Sequence, residues 1–226
     1  FSIFFSYGDK QLPEIKGLNF NSDGAFLVQP SLHRDTITYW LRDTMLVNQD
    51  TLSLQMTYMA TDTLGNLVSQ TDTLTVLSKL PYERRQKDLR KEFESWQKQQ
   101  EKKRKRGQPY DSIMPPKSLP MRINTQSTIE PDRDIIFSFD RPIAIADTSK
   151  IHLYAKQDSL WYDTPLRVRP VSERIPGDTT RAAILSLRNY ELRAEWQPDT
   201  EYSLELDSMA FVDIYGLVTP PIKQGI

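Results

Sequence analysis

The chain of 226 residues contains no cysteine, which excludes disulfides, thiolate metal sites and cysteine nucleophiles together. That absence suits the cytosol and the cell envelope equally. Histidine is almost as scarce: His33 and His152 are the only two, and neither sits in an H-x-x-x-H or H-E-x-x-H pattern, so no zinc motif forms. No G-x-S-x-G is present to support a Ser/His/Asp triad. Only 8 glycines stand against 15 prolines, a balance that suits strand edges and corners more than flexible linkers. No apolar run approaches the ~18 residues of a membrane-spanning helix. The opening residues FSIFFSY lack the charged start of a signal peptide and read as a strand. A chain that opens in mid-strand without methionine is expected to be an interior piece of a longer protein. With a formal net charge of −1, no global field favours nucleic acid or an anionic membrane.

What is present points to a folded β protein. Hydrophobic residues make up 38% and aromatics 10%, enough to bury a sizeable core. The organising stretch is Trp196 to Gly216, WQPDTEYSLELDSMAFVDIYG. Pro198 cannot donate to a ladder and belongs at a strand entry, and Asp199-Thr200 is turn-forming. Tyr202, Leu204 and Leu206 then alternate with Ser203, Glu205 and Asp207, the period of a half-buried strand. A one-residue slip would put Glu205 in the core. Tyr202 follows its corner proline as the tyrosine of a "tyrosine corner" does, so its hydroxyl is expected to bond a backbone group of the preceding corner. Asp213 to Gly216 reads as a tight turn.

The first half carries short alternating segments. Ile3, Phe5 and Tyr7 form one face of a strand. Residues 20–24 (FNSDG) are a turn, and Ala25–Gln29 is extended. Thr36–Leu41 places Ile37, Tyr39 and Leu41 opposite Trp40. Leu52, Leu54, Met56 and Tyr58 mark the cleanest strand, followed by the turn 62–66 (DTLGN) and a returning strand over Thr73–Leu77. Short strands with turn chemistry between them indicate a sandwich. An internal echo supports it: Asp50-Thr51, Ser53-Leu54 and Asp62-x-x-Gly65 parallel Asp199-Thr200, Ser203-Leu204 and Asp213-x-x-Gly216. At about 80 residues this half is short for the ~100 of an Ig-like domain, so a strand is expected to be missing.

After Pro81 the composition changes. Residues 82–106 contain no Gly or Pro and are rich in helix formers. Eleven Lys/Arg against five Asp/Glu give this segment +6, leaving −7 for the rest. Leu89, Phe93 and Trp96 form a narrow stripe expected to lie on a sandwich. Glu83–Lys87, Glu94–Lys98 and Glu101–Lys105 are favourably ordered i,i+4 pairs. Gly107 and Pro109 end the helix, and 107–120 is a Pro-rich connector. Beyond it come segments at 129–139, with Ile135, Phe137 and Phe139 inward, then Ile151/Leu153, Leu160-Trp161-Tyr162, Leu166/Val168 and 182–187.

Few residues qualify as binding candidates. The basic run Lys102, Lys103, Arg104, Lys105 and Arg106 reads as a solvated helix end, or as an electrostatic contact with an anionic glycan, lipid head group or acidic neighbour. Without an aromatic platform beside it, no nucleic-acid partner is expected. Trp40, Trp161 and Tyr162 are the candidates for a sugar-stacking platform, with packing between domains as the plainer use. The Asp-Thr dipeptides at 43–44, 50–51, 62–63, 72–73, 147–148, 163–164, 178–179 and 199–200 are expected at turns and strand entries. Residues 21–24 (NSDG) fall short of a calcium loop. No catalytic, metal or cofactor residues are assigned, and no cofactor is expected.

The pattern W-x-P-x-T-x-Y-x-L-x-L of residues 196–206, followed by Ala210, Phe211, Asp213 and Gly216, resembles the bacterial Ig-like domain of the S-layer (SbsA) type. The segment 135–143 (IIFSFDRPI), with Asp147 beyond it, is similar to that domain's early strand. The resemblance spans about 117 to 226. It implies a structural module without catalytic residues, carried by lipid-anchored envelope proteins of Gram-negative gut anaerobes. The expectation is all-β: an Ig-like sandwich over 1–80, incomplete in this half, an amphipathic charged helix over 81–107, a Pro-rich linker over 108–118, and an SbsA-type sandwich over 119–226. The expected role is non-catalytic, spacing and presenting other domains in the cell envelope (periplasm or outer-membrane surface). A carbohydrate-binding module using the exposed aromatics is the alternative. The expected partner is a protein or glycan of the envelope, with membrane attachment only through a lipid anchor outside this sequence.

Overall fold

The computed structural model describes residues 1–125, 127–174 and 183–226. The Asp178-Thr179 dipeptide and the first residue of the expected strand at 182–187 lie outside them. Strands dominate, and the chain divides into two compact units, Phe1–Pro116 and Lys117–Ile226.

In the first unit β1 (Ser2–Phe4), β4 (Thr36–Leu41) and β3 (Phe26–Pro30) form one antiparallel sheet, in the order β1-β4-β3. A second sheet has the order β2-β5-β6, from β2 (Glu14–Gly17), β5 (Thr51–Thr61) and β6 (Leu67–Leu77). The alternation seen in the sequence sets the inward faces: Ile37 and Tyr39 in β4, and Leu52, Leu54 and Met56 in β5, are all buried. Ala25, Leu46 of the one-turn helix α1 (Thr44–Val47) and Leu52 pack together, with Phe20, Phe26, Leu41 and Val76 against them. The first strand is shorter than its sequence suggests, ending at Phe4, and Tyr7 lies beyond it, exposed. The larger difference concerns β6. It begins at Leu67, so Asp72-Thr73 lies inside a strand and not at its entry.

Helix α2 (Tyr82–Lys105) also belongs to the first unit. Pro81 supplies no side-chain cap; instead Asp50 accepts from Tyr82 N–H at 2.6 Å, fastening the helix start to the strand entry at Thr51. Of the three spaced pairs, Glu101–Lys105 closes, at 2.7 Å. The apolar stripe departs from expectation. Phe93 and Trp96 stack on each other at 5.9 Å, but Leu89 and Phe93 stay 48% and 44% exposed, so the stripe is only half covered.

The second unit has two four-stranded antiparallel sheets. One has the order β12-β13-β8-β7, from β7 (Met121–Ile123), β8 (Ile135–Phe139), β12 (Leu166–Glu173) and β13 (Ile184–Ala194). The other has the order β11-β10-β14-β16, from β10 (Ile151–Gln157), β11 (Leu160–Asp163), β14 (Tyr202–Leu206) and β16 (Ile222–Gly225). A ribbon of β9 (Ile143–Ala146) and β15 (Phe211–Asp213) completes it. Ile135, Phe137 and Leu192 from the first sheet meet Leu153, Leu204 and Leu206 from the second in one continuous core, together with Phe139, Tyr190 and Phe211. Each such side chain contributes roughly 1.5–3 kcal/mol by burial. The two layers therefore face each other across apolar side chains, as in a sandwich-like fold.

Candidate binding surface

The corner before β14 fixes one end of the second unit. Tyr202 is buried, and its hydroxyl accepts from Gln197 N–H at 2.7 Å, the bond expected of a tyrosine corner. Trp196 packs edge-on against the Tyr202 ring at 5.0 Å and donates from Nε1 to the Arg133 carbonyl at 2.9 Å. Two loops distant in sequence are held by one aromatic pair. The Trp196 N–H is thereby used, and the Tyr202 hydroxyl oxygen takes a backbone donor.

Beside this corner opens a cleft of about 520 Å³. The β11–β12 connection supplies Tyr162, Asp163, Thr164 and Pro165, β10 supplies Gln157, and the end of β13 supplies Arg193 and Glu195. Arg193 is already paired, at 2.8 Å to Asp134 and 3.5 Å to Glu191, and Glu191 also binds Arg169. That chain of ions orders one wall of the cleft. Tyr162 brings an aromatic face that is 47% exposed, among carboxylate, amide and guanidinium groups. Such a mixture can stack on and hydrogen-bond a polar ring compound.

The other expected residues do not converge here. Trp161 is 48% exposed on the same edge strand as Tyr162 but does not line the cleft; alternation turns it to the other face, where the Lys156 ammonium lies 6.0 Å from its ring. Trp40 belongs to the first unit. It is half-buried, on the face opposite Ile37 and Tyr39, and its Nε1 donates to Gln29 Oε1 at 3.0 Å. Lys102, Lys103, Arg104, Lys105 and Arg106 are all exposed at the last turn and end of α2, where cations complement the helix dipole. Lys105 holds the Glu101 carboxyl below the usual carboxylate range.

The carboxylates of the Asp-Thr dipeptides act mostly on backbone. Asp43 Oδ1 caps α1 by accepting from Met45 N–H at 2.7 Å, and Asp147 Oδ1 accepts from Ser149 N–H at 3.2 Å. Asp62 closes the β5–β6 turn, and its backbone donors hold its carboxyl below the ordinary value. Among the described residues no group of three or more His, Asp or Glu side chains is placed to hold a metal ion. No helix among the described residues is long and apolar enough to cross a membrane. Sequence reasoning found Tyr162 but missed Arg193, Glu195 and Gln157, whose chemistry is ordinary until the fold brings them together.

No protein-family model matches the chain, and no curated protein matches it.

Proposed function

We propose that the chain is a non-catalytic structural and interaction module of a bacterial cell-envelope protein, built from two Ig-like sandwiches with a charged helix between their sequences, that spaces and presents other parts of that protein. The observation that carries this reading is the tyrosine corner. Tyr202 takes a backbone donor, Trp196 donates to a backbone carbonyl, and Asp43, Asp147 and Asp62 engage their carboxylates in caps and turns. The sequence pattern of residues 196–216, which resembles an SbsA-type Ig-like domain, supports the same reading. Binding of the whole chain to a panel of envelope glycans, run beside Tyr162→Ala, tests it. The reading expects background signal from both proteins. A glycan held by the wild-type chain and released by Tyr162→Ala would replace it.

The cleft favours one second reading, a carbohydrate-binding module. Its support is the half-exposed Tyr162 ring beside Gln157, Asp163, Arg167 and Glu195. Under this reading Tyr162→Ala abolishes binding, whereas Trp40→Ala leaves it unchanged.

A further inference from the structure

Among the described residues no strand pairs with the outer side of β6: the sheet order ends β2-β5-β6. The β5–β6 ladder runs without a bulge through eleven residue pairs, from Thr51↔Leu77 to Thr61↔Leu67. Asp62 N–H donates to the Asn66 carbonyl beyond one end, and Ser78 N–H donates to the Asp50 carbonyl beyond the other. Bonded and non-bonded pairs alternate along an antiparallel ladder. The even-numbered residues of β6 therefore face β5, and Leu67, Ser69, Thr71, Thr73, Thr75 and Leu77 turn their N–H and C=O outward.

Sheet edges are ordinarily guarded by Pro, charged side chains, a bulge or shortness; β6 has no Pro, Lys or bulge, is eleven residues long, and carries one charge, Asp72. Its sequence LVSQTDTLTVL is near-palindromic about Asp72, with Leu67 matching Leu77, Val68 matching Val76, Ser69 matching Thr75 and Thr71 matching Thr73. Three large apolar side chains at its two ends are left in solvent: Leu67 is 66%, Val68 41% and Leu77 70% exposed. We propose that the β6 edge pairs antiparallel with β6 of a second copy of this chain, on a two-fold axis through Asp72, joining two three-stranded sheets into one of six.

This register accounts for each of those features. Leu67 meets the partner's Leu77 and Val68 meets the partner's Val76, so both exposed ends gain apolar neighbours. Thr71 meets the partner's Thr73 in a bonded pair, and threonine pairs across strands are favourable. Every outward N–H and C=O of β6 finds an acceptor or donor. Asp72 is the sole charge on the strand and meets its own symmetry mate. Its carboxylate already accepts from Tyr58 hydroxyl at 2.7 Å and from Gln70 Nε2 at 3.1 Å, but like charges opposed across strands weaken pairing. An eleven-residue edge about 37 Å long buries less than the ~800 Å² per partner of a standard interface. The dimer is therefore of the weak, transient class. This inference rests on the β6 edge alone and stands or falls apart from the envelope assignment.

The absence of native cysteine makes a cross-linking test clean. Asp72 faces its mate in a non-bonded pair, where Cα atoms lie about 4.5 Å apart, within disulfide reach. With a mild added oxidant, the Asp72→Cys chain is expected to give a disulfide-linked dimer, and a Thr63→Cys control at the hairpin tip is expected to stay monomeric. In sedimentation, Asp72→Asn tightens self-association several-fold. Thr73→Pro, which removes an outward donor and none toward β5, loosens it by roughly tenfold or more. Equal cross-linking of the Asp72→Cys and Thr63→Cys chains would overturn the proposal, as would a monomeric Asp72→Asn chain at several hundred micromolar. Circular dichroism confirms that each variant is folded.

Discussion

One turn is built twice in this molecule, in two different surroundings. In residues 62–66 Asp62 Oδ1 accepts from the N–H groups of Leu64 and Asn66 at 2.8 and 2.7 Å, Asp62 N–H donates to Asn66 O, and Gly65 N–H donates to Asp62 O. In residues 213–217 Asp213 Oδ1 accepts from Tyr215 and Leu217 at 2.9 and 2.8 Å, and the same two backbone bonds recur. Gly65 and Gly216 take φ of 85° and 83°. The surroundings differ. The first turn is an exposed hairpin tip, with Leu64 84% in solvent. In the second turn Asp213 is 1% exposed and pairs with Arg141 at 3.4 Å, while Arg141 in turn lies 5.3 Å from the centre of the Tyr215 ring. The same five-residue pattern thus serves as a free tip in one unit and as a buried fastening in the other. The local hydrogen bonds fix the shape of the turn, and its energetic weight comes from what covers it.

The sharpest way to break that comparison is to remove both aspartates. Asp213→Ala leaves the part-buried N–H groups of Tyr215 and Leu217 without their acceptor and the half-exposed Arg141 without its partner; it is expected to cost about 2–3 kcal/mol, read by denaturant unfolding. Asp62→Ala, at the exposed tip, is expected to lower stability far less, and equal losses would show that burial does not set the weight. A second contrast lies in the tyrosines. Tyr39 hydroxyl is buried without a partner, and burial pushes its pKa up to about 12. A folded pKa raised above the unfolded value near ~10 contributes stability that is complete below ~10 and lost as pH rises toward ~12. Tyr39→Phe should remove about 2–3 kcal/mol of that alkaline dependence; melting curves collected across that window in both proteins check it. Tyr202 has its partner, so Tyr202→Phe is expected to destabilise by about 1–2 kcal/mol at neutral pH through loss of the bond from Gln197 N–H. The smallest effect should be the most even. Both glycines have open space where a Cβ would stand, so Gly65→Ala and Gly216→Ala should each cost about 1 kcal/mol from the positive φ alone.

The parts of the fold that were legible in the sequence are those where one face is buried and the other wet. Tyr202, Leu204 and Leu206 alternate because β14 lies against a core, and they are 3%, 0% and 2% exposed. The helix over 82–105 was legible from composition, and the repeated D-x-x-G pattern marked both turns. β6 was only half legible. Its first five residues, Leu67 to Thr71, are exposed on both faces, so no alternation of burial marks them as a strand, and the Asp-Thr rule placed at Asp72-Thr73 a strand entry that is not there. Short β2 and β16 went unseen because they take their place from backbone pairing, to β5 and β14, and not from apolar pattern. The cleft beside Tyr162 was beyond sequence reading for a similar reason. Arg193 and Glu195 reach it through the β12–β13 register, which matches Leu166 with Ala194 and Arg167 with Arg193.

A central strand and an edge strand should behave differently. In the second unit, β14 is paired on both sides, by β10 and β16; in the first, β6 is paired on one. Amide hydrogen exchange, resolved by residue at low protein concentration, tests this directly. The account expects slow exchange throughout residues 203–206, and a two-residue rhythm in β6 with Ser69, Thr71, Thr73 and Thr75 fast and their even-numbered neighbours slow. Uniform protection along β6 in the dilute chain would contradict it.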